Sequence, residues 1–160
     1  MKQKKIASKA ILILKESPKE QKKDYLNNAQ KYRLQEYCKS KGLEVLKIFE
    51  FIKSSTKSDL KKFKEAIEFA EQQEEITAIV IDKFYKLECS YEEMLLLDDL
   101  INKEKIELHF HIESCIIRKY SIAQDRLLWS LFIMVGQHFF DSIRRSIKCA
   151  IEQKRKINSN

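Results

Sequence analysis

Ser17 stands where a buried-looking strand runs into a charged turn, in "ILILKESPKEQ", residues 11–21. A serine in that place has two uses. Its hydroxyl can cap a following helix, or it can serve as a nucleophile set at the end of a strand. Asp82, Lys83 and Lys86 follow another apolar run, in "VIDKFYK". A carboxylate at a strand end often holds a loop or a lysine, and such lysines are otherwise an ordinary solvated loop. His109 and His111 lie two apart in "IELHFHIE". That spacing can grip a metal, but no third ligand is evident nearby, so no metal is expected. His138, beside Phe139, reads as a structural residue. Near the C-terminus come Arg144, Arg145, Lys148, Lys154, Arg155 and Lys156. Residues 144, 148 and 155 share one helix face, which is either a solvated surface or a phosphate-contacting one.

These residues need a scaffold, and the periodicity supplies one. Residues 10–15 read as a strand buried on both faces, 22–41 as a helix, and 43–51 as a second strand. Within the first helix Leu26, Ala29, Tyr32 or Arg33, Leu34 and Tyr37 recur at helical spacing. Gly42 reads as its left-handed stop. Thr56-x-x-Asp59 begins a helix over about 58–73, with Leu60, Phe63, Ile67 and Ala70 facing inward. "ITAIVID", 76–82, is the most strand-like segment, and Ser90-x-x-Glu93 caps a helix to about 103 carrying Met94, Leu95, Leu97 and Ile101.

The strand 106–113 alternates cleanly, so its Glu107, His109, His111 and Glu113 face is expected to be less buried. Ser121-x-x-Gln124 is read as the cap of a long helix over roughly 122–155. Leu127, Leu128, Leu131, Phe132, Val135 and Phe139 give its first part a wide apolar face, and only a narrow stripe continues beyond. Such narrowing predicts a helix that leaves its own domain and runs against a partner.

Strands alternating with helices imply an α/β fold with a mainly parallel sheet of four to five strands, flanked by helices and followed by the long helix. Sites in such sheets form at the carboxyl ends of the strands. Ser17, the loop 53–58, and the Asp82, Lys83 and Lys86 turn all belong to that end.

Composition narrows the function classes. The chain has 160 residues, 44% apolar and 34% charged, which suits one soluble domain. Two glycines and one proline leave no room for a phosphate-cradling glycine loop. Net charge is +7, from 31 basic against 24 acidic residues, compatible with a nucleic-acid partner. Cys38, Cys89, Cys115 and Cys149 are scattered, without a C-x-x-C, and read as reduced structural thiols of an intracellular protein. The apolar run near the N-terminus is too short for a signal peptide, and no segment approaches a membrane span.

Five stretches, in order, carry a family resemblance across nearly the whole chain. "ILKESPKEQ" occupies the place of Y-x-R-V-S-[ST]-x-x-Q, with Ser17 at the serine and Gln21 at the glutamine. "AQKYRLQEYCKSKGLEVLKIFE" matches a Q…L…Y(C)…G pattern, and "VIDKFYK" stands for V-D-R-L-S-R. "IELHFHIES" is similar to a G-I-E-L-H-F…E strand, and "DRLLWSLFIMVGQHFFDSIRRSIKCA" to a long helix opening D-[KR]-L. The sequence resembles the N-terminal catalytic domain of serine recombinases, the resolvase/invertase group, especially its large members.

The resemblance implies serine attack on a DNA phosphodiester, a 5′-phosphoserine intermediate and strand exchange, with no metal or nucleotide cofactor. It implies double-stranded DNA as partner, a homodimer or a tetramer on DNA, no membrane, and a cytoplasmic place. It assigns Ser17, Lys15, Gln21, Asp82, Lys83 and Lys86 to the catalytic site, and Arg144, Arg145, Lys148, Lys154 and Arg155 to DNA contact. Residues 1–120 would be the catalytic core and 121–157 the dimerisation helix, with no C-terminal recognition domain in this chain.

The departures are specific. Lys15, Leu60, Lys83 and Lys86 stand where the family places arginines, and Asp82 is retained. Guanidinium is planar, always charged and bidentate to phosphate, and lysine loses that geometry. Impaired cleavage is therefore expected, the alternative being a non-catalytic dimerisation or DNA-binding module, or a truncated remnant, on the same fold. A receiver-like signalling domain shares the sheet order but needs an acidic pair after the first strand, which is missing.

Overall fold

The computed structural model describes residues 4–16, 24–52, 57–87 and 89–158. Side chains within these ranges are described except at 16, 24–28, 52, 57–60, 85, 139–141, 143, 144 and 158. The chain runs β1 (Lys9–Glu16), α1 (Asp24–Lys41), β2 (Glu44–Ile52), α2 (Lys57–Glu71), β3 (Thr77–Ile81), a 3-10 turn (Phe84–Lys86), α3 (Tyr91–Asn102), β4 (Ile106–Phe110), β5 (Cys115–Ile117) and α4 (Ala123–Asn158). The sheet order is β2-β1-β3-β4-β5. β1 to β4 are parallel, and β5 returns antiparallel beside β4. The α/β architecture with a mainly parallel sheet is as the periodicity predicts.

Two layers of apolar residues sandwich the sheet, and the strand period of two assigns them. Ile11, Ile13, Phe49, Phe51, Ile79, Ile81, Leu108 and Phe110 pack with α2, α3 and the start of α4. Ala10, Leu12, Leu14, Ala78 and Val80 point the other way, against Leu34 and Cys38 of α1. Being buried on both sides, β1 and β3 read as unbroken apolar runs. α1 ends as its glycine requires. Gly42 has φ +67°, and the Leu43 amide donates to the Cys38 carbonyl while the Gly42 amide donates to Lys39. Ser90 caps α3 in a reciprocal box with Glu93.

Several expectations are corrected by the packing. All five residues of β4 are buried, Glu107 and His109 included. Alternation suggested a wetter face, but Tyr37, the Ala7 amide and Arg118 cover Glu107 and His109, while His111 is half-buried and Glu113 exposed past the end of the strand at Phe110. Tyr32 and Leu95 face solvent, and it is Leu100 that joins Met94, Leu97 and Ile101 inside. Ser121 does not reach Gln124 as a cap. Its hydroxyl accepts from the Arg118 amide and donates to the carbonyls of the same turn.

α4 is 36 residues long, about 54 Å at ~1.5 Å per residue. Trp129 is its buried anchor, its indole donating to Asp98 of α3 at 2.9 Å. Gly136 lets Met94 of α3 come close, since a Cβ there would stand 2.7 Å from Met94 Cε. Leu127, Leu128, Leu131, Met134, Val135, Ile147 and Ile151 remain exposed. Much of the apolar face is thus uncovered by its own domain even in the first half, where Trp129, Phe132 and Ile133 pack against the core. His138 is exposed, not packed. No helix among the described residues is long and apolar enough to cross a membrane.

Cys38, Cys89 and Cys115 are buried and Cys149 is exposed, all as free thiols. Burial pushes the Cys38 thiol up to about 11, and those of Cys89 and Cys115 to about 12. Only the thiolate reacts. At pH ~8, a disulfide reagent is expected to modify one of the four cysteines quickly, and all four after unfolding. Two or more fast thiols in the folded chain would contradict this packing.

Candidate active site

The sheet reverses its winding between β1 and β3, and the carboxyl ends of those strands open a crevice there. β1 delivers Lys15 to this point and β3 delivers Asp82. Alternation along β3 puts Asp82 on the same face as Ala78 and Val80, the face α1 covers. Asp82 is 1% exposed. A buried carboxylate must find partners, and Oδ2 finds three. Arg33 Nη2 of α1 donates at 3.1 Å, Gln30 Nε2 reaches it at 3.5 Å, and Lys86 Nζ stands 3.8 Å away. Among the described residues Oδ1 has no hydrogen-bond partner.

Lys86 also ties the two strands together, donating from Nζ to the Lys15 carbonyl at 3.4 Å. The turn carrying Lys83 and Lys86 is pinned at several points. The Ile112 amide donates to the Asp82 carbonyl at 2.9 Å, and the Phe84 amide donates to Glu113 at 3.1 Å. The Phe84 ring stacks on Phe110 with centroids 4.1 Å apart. Rigid support of this kind is what a preorganised charged site requires.

Of the residues singled out from sequence, Lys86, Asp82 and the Lys15 backbone come together. The Lys15 ammonium turns to the other face of the sheet, 5.8 Å from the Phe51 ring centre and 5.6 Å from that of Phe63. Lys83 precedes the 3-10 turn in extended backbone and is half-buried. Ser17 and Gln21 lie outside the described residues, as does the side chain of Leu60. β1 ends at Glu16, one residue before Ser17. On α4, Arg145, Lys148, Lys154 and Arg155 are exposed, and the side chain of Arg144 is outside those described.

Gln30 and Arg33 were missed as site residues. Their signal was available, since Gln30, Arg33, Leu34, Tyr37 and Cys38 form an i, i+3, i+4, i+7, i+8 stripe with polar members on an inward face. Tyr37 extends the same edge of α1. Its hydroxyl pairs with His109 Nδ1 at 3.0 Å, and His109 Nε2 pairs with Glu107 at 2.9 Å. Both ring nitrogens of His109 are therefore engaged within the protein. Burial pushes the Tyr37 phenol up to about 12. A cavity of about 380 Å³ adjoins Glu107 and Arg118, but it opens near Ile76 and Ile106, at the opposite end of the strands from Asp82.

A parallel sheet in this order, a crevice at the ends of β1 and β3, and a long trailing helix define a class of fold, and the comparisons agree on which. The family described as Resolvase, N terminal domain, matches residues 16–159, and the chain belongs to that family of site-specific recombinase catalytic domains. It is similar in fold to a resolvase family site-specific recombinase from Streptococcus pneumoniae. The TM-score is 0.65 at 18% identity, covering 92% of this chain and 98% of that one. It is also similar to the N-terminal catalytic domain of TP901-1 integrase, with a TM-score of 0.55 at 19% identity, covering 86% of this chain and 97% of that one. No curated protein matches.

Proposed function

We propose that this chain performs the phosphoryl-transfer step of site-specific DNA recombination, with Ser17 as nucleophile. Ser17 Oγ would form a bond to a backbone phosphorus as the bond to the 3′ oxygen breaks. The serine proton leaves and the departing 3′ oxygen gains one. The phosphodiester energy is retained in the 5′-phosphoserine, so reversal by the 3′-hydroxyl needs no nucleotide. The observation that carries this reading is the Asp82 cluster. Arg33 and Lys86 converge on its carboxylate beside the strand that runs into Ser17. Two cations on one carboxylate leave the cluster positive, as stabilising a phosphoryl oxyanion requires.

Lysine at positions 15, 83 and 86 keeps charge but lacks the bidentate fork. We therefore expect cleavage slower than in family members with arginines there. The exposed Arg145, Lys148, Lys154 and Arg155 suit contact with DNA phosphates, and the uncovered apolar stripe of α4 suits pairing with a second copy. The reading is tested by isolating the phosphoserine linkage from protein incubated with duplex DNA and mapping it to Ser17. A linkage at another residue, or an equal yield from Ser17→Ala, would count against it.

A further inference from the structure

The four positions that the family fills with arginine hold none here, yet one arginine meets Asp82 from elsewhere. Arg33 comes from α1, and its guanidinium meets Asp82 at the carboxyl end of β3. We propose that Arg33 takes over the guanidinium's role at this site, gripping a DNA phosphate; the proposal rests on the recombination reading above. Nη2 donates to Asp82 at 3.1 Å, which anchors one corner of the group. The Arg33 side chain is 44% exposed while Asp82 is 1% exposed. A buried carboxylate thus holds Nη2, while nearly half of the side chain is open to solvent. A guanidinium carries five N–H donors, so the anchored corner leaves others for a phosphate fork. It also stays charged beside any carboxylate, so pairing orients it without discharging it.

Lys86 completes the arrangement. It shares the Asp82 oxygen with Arg33 and donates to the Lys15 carbonyl, two residues before Ser17. One carboxylate therefore links Arg33 to the end of the strand that carries the nucleophile. The Lys15 ammonium, over Phe51 and Phe63 on the opposite face, does not stand in that line. The competing account makes Arg33 a strut that clips α1 to β3 and never meets DNA.

The test uses the full chain, a short blunt duplex, and the variants Arg33→Ala and Arg33→Lys. Duplex affinity is measured across a salt series, with thermal melting as a check on folding. Losing one phosphate contact lowers the slope of log affinity against log salt by about 0.9. We expect that loss in Arg33→Ala. Arg33→Lys is expected to keep the slope and to slow formation of the covalent adduct by about 100-fold, through loss of the fork. If Arg33→Ala unfolds, the lysine variant alone decides, because it keeps the charge beside Asp82. An unchanged slope in folded Arg33→Ala, or an unchanged adduct rate in Arg33→Lys, overturns the proposal and leaves a strut. A chain that makes no adduct yet loses slope in Arg33→Ala contradicts the catalytic reading and supports the phosphate contact. A chain that binds no duplex overturns both.

Discussion

Lys83→Arg is expected to raise the rate of adduct formation by about 100-fold or more, at an unchanged melting temperature. A preorganised donor aimed at developing charge is typically worth about 100–1,000-fold. Lysine at a bidentate site supplies a point charge in place of the planar fork. Residue 83 is half-buried at the head of a turn that three separate contacts hold rigid, so the longer group inherits a fixed base. Lys86 is a poorer place for the exchange, since its ammonium already bridges Asp82 and the Lys15 carbonyl. Single-turnover kinetics on a labelled duplex measure the effect. No gain would mean that charge alone suffices at this position, and would remove the argument for slowed cleavage there.

Glu107→Ala is expected to cost about 3–5 kcal/mol of folding stability, the usual result of removing one partner from a buried, hydrogen-bonded charged cluster. Glu107 is 3% exposed and accepts from the Ala7 amide at 3.2 Å. Its other oxygen pairs with His109 at 2.9 Å, and Arg118 Nε lies 3.7 Å away. Alanine would strand a buried imidazole and a buried amide together. Glu107→Gln keeps the shape but turns one acceptor into a donor, and is expected to cost about 1–3 kcal/mol. Urea unfolding of both variants checks the order. A Glu107→Ala cost under about 1 kcal/mol would show that water reaches the cluster.

How far the sequence carried the account depended on what each residue answers to. β1 and β3 were legible because both faces are apolar, and their bounds came out within a residue or so. α1 and α3 were legible from a stop at Gly42 and a cap at Ser90, whereas the cap read at Ser121 was not one. β5 has no counterpart among the strands read from sequence, because three residues carry no period. The polar row on β4 was misread because alternation reports side-chain type, not cover. A carboxylate and an imidazole look solvated until Tyr37 and Arg118 close over them. Arg33 was hidden by the same limit. It was counted as half of an ambiguous inward position with Tyr32, and only the tertiary approach of α1 to β3 gives it a role.

The central claim is that Ser17 still forms a covalent bond to DNA. The direct measurement is denaturing capture of protein–DNA adducts from a pool of randomised duplexes. The unaltered chain, Lys83→Arg and Ser17→Ala are run side by side. The account predicts a slow adduct from the unaltered chain, a faster one from Lys83→Arg, none from Ser17→Ala, and the linkage mapped to Ser17. No adduct from either serine-bearing protein, under conditions where both bind the duplexes, would contradict it.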